Sequence, residues 1–166
     1  MRKTLFASLF LFLSLAGLIS CKSTASSSDN NRVQGDSILV GLERGPCFGQ
    51  CPQFKATIYT TGFAEYYGER NTPMTGYYQA KIPKEKVQEF EGLLKRYNMA
   101  EADSAYVNKL LADYPAYWLT VSDTKGSRRI LVNHEEPPVF IMDFTAELER
   151  MISQIPWKQA KKSDDQ

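Results

Sequence analysis

Arg44-Gly45-Pro46-Cys47-Phe48-Gly49-Gln50-Cys51-Pro52, running on into Gln53-Phe54-Lys55-Ala56-Thr57-Ile58-Tyr59, is the stretch on which the reading of this chain turns. Two cysteines enclose a short segment with a glycine at its centre, and a proline stands outside each cysteine. Pro52 biases Cys51 toward an extended backbone, and beyond it Phe54, Ala56 and Ile58 alternate with Lys55, Thr57 and Tyr59. That pattern predicts a tight corner feeding a half-buried strand. Before the corner, Ile38-Leu39-Val40-Gly41-Leu42 is a short apolar run typical of a buried strand.

Outward from this corner the strands continue. Thr61-Gly62 marks a turn into Phe63-Ala64-Glu65-Tyr66-Tyr67, and Gly76 to Ile82 alternates again, so an antiparallel meander is expected. Pro83 suits the first turn of a helix over Lys84 to Tyr97, with Val87, Phe90, Leu94 and Tyr97 on one face. Residues 99 to 113 have mixed periodicity that allows a short helix. Tyr117 to Val121 and Arg128 to Asn133 flank an Asp123-Thr124-Lys125-Gly126 turn, and Pro137-Pro138 opens a last helix with Phe140, Phe144, Leu148, Met151, Ile152 and Ile155 as its apolar stripe. Strands in hairpins with helices between and after them predict an α+β fold: one antiparallel β-sheet with helices packed on one face, in a single domain over residues 37–157.

Ahead of that domain lies an address. Arg2 and Lys3 precede an apolar run from Leu5 to Ile19, too short and too N-terminal for an ordinary spanning helix, which reads as a signal peptide over residues 1–20. Leu18-Ile19-Ser20-Cys21 resembles a bacterial lipobox, which implies that Cys21 becomes the lipidated first residue of the mature protein and carries palmitate-like acyl chains. Lys22, where an aspartate would retain a lipoprotein at the inner membrane, resembles lipoproteins sent on to the outer membrane. Residues 21–36, rich in serine and asparagine, read as a flexible tether, and 158–166 as a polar, frayed tail. The 166-residue chain, 43% hydrophobic and 12% aromatic, has material for one packed core. A formal charge of +1 without a Lys/Arg block argues against nucleic acid as a partner.

In an oxidising compartment Cys47 and Cys51 point first to a disulfide, for which Gly49 supplies the tight turn. Metal or redox chemistry is the alternative. A catalytic dithiol sits at a helix N-terminus, and a strand follows here instead. A Cu(I) site from Cys47, Cys51 and the single histidine, His134, remains open on ligand softness.

Arg44 to Pro52, then Phe54, Ile58, Gly62, Tyr66 and Gly76, resembles a family of uncharacterised bacterial envelope proteins, often lipoproteins, with a C-F-G-x-C-P motif, the domain of unknown function 6438. The similarity extends through Asp113-Tyr114-Pro115 and the Pro137-Pro138 helix, with Thr61-Gly62 where members tend to have Asp-Gly. The resemblance implies a single envelope domain and brings no activity with it.

No G-x-S-x-G elbow, P-loop, G-x-G-x-x-G or calcium loop is present, so no catalytic residue and no cofactor is assigned. The expected function is that of a membrane-tethered, non-catalytic binding or structural domain, with a periplasmic copper or thiol-redox protein as the alternative. The candidate binding surface combines the loop tip, Phe48 and Gln50, with Lys55, Tyr59 and Tyr77 on the sheet face opposite the apolar one. Its partner would be an envelope protein or a glycan.

Overall fold

The computed structural model describes residues 36–110 and 114–161. Four strands come first: β1 (Ile38–Arg44), β2 (Gln53–Tyr59), β3 (Phe63–Arg70) and β4 (Gly76–Lys81). Helix α1 (Lys84–Arg96) follows, then β5 (Ala105–Val107), β6 (Tyr117–Asp123), β7 (Gly126–Asn133), helix α2 (Val139–Ser153) and β8 (Lys158–Gln159). The strands form one sheet in the order β5-β7-β6-β1-β2-β3-β4-β8. All pairs are antiparallel except β5 with β7. The α+β expectation holds, with that one parallel edge added.

Register decides which side chains share a face. Val40 pairs with both Ile58 and Val121, and Leu42 with both Ala56 and Leu119. Ala64, Tyr66, Ala80, Ile130 and Val132 continue the same face outward. Both helices cover that face. Val87, Phe90, Leu93 and Leu94 of α1 join Ile141, Phe144, Leu148, Met151 and Ile152 of α2 in one buried cluster with the strand residues. Tyr97 meets the Phe144 ring edge-on at 5.9 Å where the helices approach.

The helix limits have local causes. Pro83 and Pro138 occupy the two N-cap positions with extended backbones, and neither helix has a side-chain cap. Lys95 and Arg96 in the last turn of α1 complement its negative end, and Asn98 in the left-handed region (φ 48°) turns the chain out of it. Gly62 makes the β2–β3 turn at φ +80°, and a Cβ there would stand 2.6 Å from the Ile82 carbonyl oxygen.

Three expectations require correction. Residues 99 to 110 do not form the short α-helix that their composition allows. Met99–Glu101 is one 3-10 turn, and Ala105–Val107 runs as the parallel edge strand, because Ala105, Tyr106 and Val107 find backbone partners on β7. The polar tail begins as structure: Lys158 and Gln159 pair with Gln79 and Tyr78, and the Ala160 N–H donates to the Tyr77 carbonyl at 2.9 Å. Phe140 lies at the margin of the α2 stripe, partly exposed, while Ile141 takes the buried position.

Phe144→Ala is expected to destabilise the domain by about 3–5 kcal/mol in urea titration, since the ring is fully buried. Gly62→Ala should cost roughly 1–3 kcal/mol by the same measurement, from left-handed strain and the carbonyl contact.

Candidate functional site

The C-terminal end of β1 is where the chain brings its unusual residues together. Cys47 and Cys51 form a disulfide with their Cα atoms 6.0 Å apart, closing the β1–β2 connection into a compact corner. The Asn71 amide, from a left-handed position in the β3–β4 turn, donates to the Cys51 carbonyl at 3.2 Å and ties the corner to the neighbouring hairpin. On the other side the Gly45 N–H donates to the Ala116 carbonyl at 3.1 Å. A Cβ on Gly45 would lie 3.1 Å from that same oxygen and from the Trp118 ring, so glycine lets the two segments close.

Beside this corner opens a cleft of about 360 Å³. Arg44, Cys51 and Pro52 form one wall, Tyr114 to Tyr117 the floor, His134, Glu135 and Pro137 a second wall, and Met142, Thr145 and Glu149 of α2 the roof. A second hollow of about 430 Å³ shares Gly45, Tyr114 and Ala116 with it and continues past Phe48 to Trp118. Larger hollows of about 720 and 610 Å³ lie beside α1, between it and the β2–β3 turn in one case and the start of β1 in the other. Volume does not single out the cleft; its chemistry does.

Arg44 is the centre of that chemistry. Its Nε donates to Glu149 Oε1, and its guanidinium lies 5.0 Å from the centre of the Tyr117 ring. Burial pushes the Tyr117 hydroxyl pKa up, with the Thr145 hydroxyl and Arg44 pulling the other way. Thr145 in turn donates to the Ile141 carbonyl at 2.7 Å, a bond within α2 that satisfies a buried hydroxyl. At the rim the Asn108 amide reaches both Glu135 oxygens, at 3.0 and 3.1 Å. The Glu135 carboxyl is held below the usual carboxylate range by its own backbone N–H, by Asn108 and by His134.

His134 therefore shares a cleft with Cys51, as a copper site would need. Its Nδ1 accepts the Glu136 N–H at 3.0 Å, and the two sulfurs are bonded to each other. Among the described residues no group of three or more His, Cys, Asp or Glu side chains is arranged to hold a metal ion. Cys21 lies outside the described residues.

The expected binding surface divides. Phe48 is 89% exposed at the loop tip, Gln50 is exposed, and Lys55 stands in solvent 3.5 Å from Glu43. Lys55, Tyr67 and Tyr77 lie side by side across the sheet, on the face away from the helices. Tyr59 corrects the expectation. It is buried, with its ring 5.8 Å from Phe63 and its hydroxyl donating to Glu65 Oε2 at 2.6 Å. Tyr77, half-buried, donates to the other oxygen of Glu65 and accepts from the Gln79 amide at 3.0 Å. These tyrosines belong to a cross-strand polar network centred on Glu65.

Comparison with known families gives one result of weight: the family described as Domain of unknown function (DUF6438) matches residues 38–156. The chain belongs to that family. No curated protein and no solved structure matches the chain. Within the matched residues, Arg44, Gly45, Cys51, Pro52, Tyr114, Pro115 and Pro137 meet in the cleft. Sequence reading did not identify Glu149 and Thr145, which look like ordinary positions of an amphipathic helix. Only the fold carries them to Arg44, 105 residues away in the case of Glu149.

Reduction of the disulfide, or its replacement by Cys47→Ser/Cys51→Ser, should lower stability by about 2 kcal/mol in urea titration, the loop-closure value for so short a ring. In Asn108→Ala, an NMR titration should show the Glu135 pKa moving up toward the usual range. Because the folded-state value is depressed, this carboxylate favours folding above its unfolded pKa and ceases to as pH falls through the folded one, and the variant narrows that window.

Proposed function

We propose that this chain is a lipid-anchored protein of the bacterial cell envelope, outer membrane rather than inner, whose folded domain binds a partner and performs no catalysis. The cleft beside the disulfide is the binding site. The observation that carries the reading is the state of the ionisable groups there: Arg44 is committed to Glu149 and Tyr117, Glu135 to Asn108, and Cys47 to Cys51. Groups satisfied in this way build a rigid wall around an aromatic and apolar floor. Tyr114, Pro115 and Pro137 then offer contact area at low entropic cost and Met142 an adaptable apolar contact, which suits an envelope protein segment or a glycan.

The fold supports the same assignment by position. Residue 36 enters at the start of β1, and the cleft lies at its end, roughly 20 Å away at about 3.3 Å per residue. A lipid on Cys21 would act through the end of β1 opposite the cleft. No helix among the described residues is long and apolar enough to cross a membrane, and in this reading attachment rests on the acyl chains.

One observation favours a second reading: Cys51 and His134 line one cleft, so a reduced pair could hold Cu(I) there.

Metabolic labelling with palmitate should tag the wild-type chain and not Cys21→Ser, which should also leave the membrane fraction; an unlabelled wild type would sink the anchor assignment. Photo-crosslinking from Tyr114 in intact cells should give a discrete adduct that Met142→Ala weakens. Intact mass after thiol alkylation, with and without reductant and Cu(I), separates the two readings: a closed bridge indifferent to copper supports binding, and free thiols retaining one copper overturn it.

A further inference from the structure

The two edges of the sheet are finished differently. Beyond β4, Lys158 and Gln159 of β8 cover Gln79 and Tyr78. The other edge is β5. There the Leu131 N–H donates to the Ser104 carbonyl at 3.0 Å and the Asn108 N–H to the Asn133 carbonyl at 2.9 Å, so the even-numbered backbone groups face β7. Strand groups alternate, and the N–H and C=O of Ala105 and Val107 therefore point outward. No described residue pairs with them.

Those outward groups match themselves. Lay a second β5 antiparallel to the first with Tyr106 on the two-fold axis, and Ala105 of each copy faces Val107 of the other. Every outward N–H then meets an outward carbonyl. Asp103 stands just before the strand and Lys109 in the turn just after it, so the same two-fold brings the Asp103 end of each copy to the Lys109 end of the other. Both side chains are exposed, and neither enters an ion pair among the described residues. Exposed apolar side chains flank the edge on both faces: Phe140 meets Tyr106 edge-on at 6.2 Å on the helix side, and Val107 lies on the other.

From these three observations we propose that the chain forms a two-fold homodimer through antiparallel β5–β5 pairing, giving one continuous sheet across two copies. Any extended peptide could meet the bare backbone groups. The order of charges, acid before the strand and base after it at equal distances from Tyr106, selects a strand with the same order running the other way, which a second copy supplies. Pairing also covers Val107, which an isolated chain leaves exposed. It is independent of the cleft's ligand, since Ala105 and Val107 do not line the cleft.

The test is size-exclusion chromatography with light scattering on the full chain in mild detergent, with Cys21→Ser alongside to remove association through acyl chains. Wild type and Cys21→Ser should both be dimers. Val107→Pro deletes one outward N–H and none of the bonds to β7, and Asp103→Lys sets like charges opposite each other. Each should weaken dimerisation more than tenfold with an unchanged circular dichroism spectrum. Asp103→Lys/Lys109→Asp restores the order of charges and should restore the dimer. A monomeric Cys21→Ser, single variants that dimerise as wild type does, or a double variant that stays monomeric would each overturn the proposal.

Discussion

Pairing of β1 along both of its edges is the constraint from which the rest of this structure follows. Its neighbour on one side, β2, comes next in sequence; its neighbour on the other, β6, begins at Tyr117. From Val40 to Arg44 both edges of the strand are paired, and each backbone group left unpaired there would cost about 1–3 kcal/mol. Val40 and Leu42 are consequently buried between Ile58 and Val121, and between Ala56 and Leu119, each contributing roughly 1.5–3 kcal/mol. The apolar face so produced must be covered. Helices α1 and α2 do this together, and their shared placement carries Glu149 over the end of β1 to Arg44.

Arg44 shows how a fold constraint becomes a site. It is the last residue of β1, its side chain on the helix-covered face, at the point where the apolar run has given out. A guanidinium there is half-buried and needs both a counter-charge and a planar surface; Glu149 and Tyr117 provide them. The disulfide acts at the same place from the opposite direction. It fixes the turn that leaves β1, so Cys51 and Pro52 form a wall of the cleft rather than a swinging loop. Local chemistry and long-range pairing thus meet at one end of the sheet.

Much of this could be read in the sequence, for identifiable reasons. Alternation of Phe54, Ala56 and Ile58 has period two, and the stripe of Val87, Phe90 and Leu94 has the helical period, so the strands and both helices were legible where one face is buried. The cysteine pair declared its corner through its spacing and the flanking prolines, whereas Gly49 lies outside the left-handed region and the turn does not use its freedom there. Tyr59 was misread because alternation assigns a side chain to a face but not to an environment. On its face Glu65 gathers two tyrosine hydroxyls, and Phe63 shields the ring. Strand β5 escaped because its three residues gain their identity from β7, more than twenty positions later. Glu149 and Thr145 escaped for the same reason, since their meaning lies across the sheet.

The two ends of β1 consequently carry different burdens. Its start receives the chain from the N-terminal side, where Thr61 donates to Asp36 at 2.8 Å and the Thr60 N–H to the Ser37 carbonyl at 3.0 Å, and these bonds secure the entry point. Its end carries the disulfide, the Arg44 pair and the exposed ring of Phe48. The full length of β1 separates the entry point from the cleft, and the sheet is a rigid spacer between them as well as a core. The segment around Cys47 and Cys51 is a fixed rim of that cleft, its two sulfurs bonded to each other.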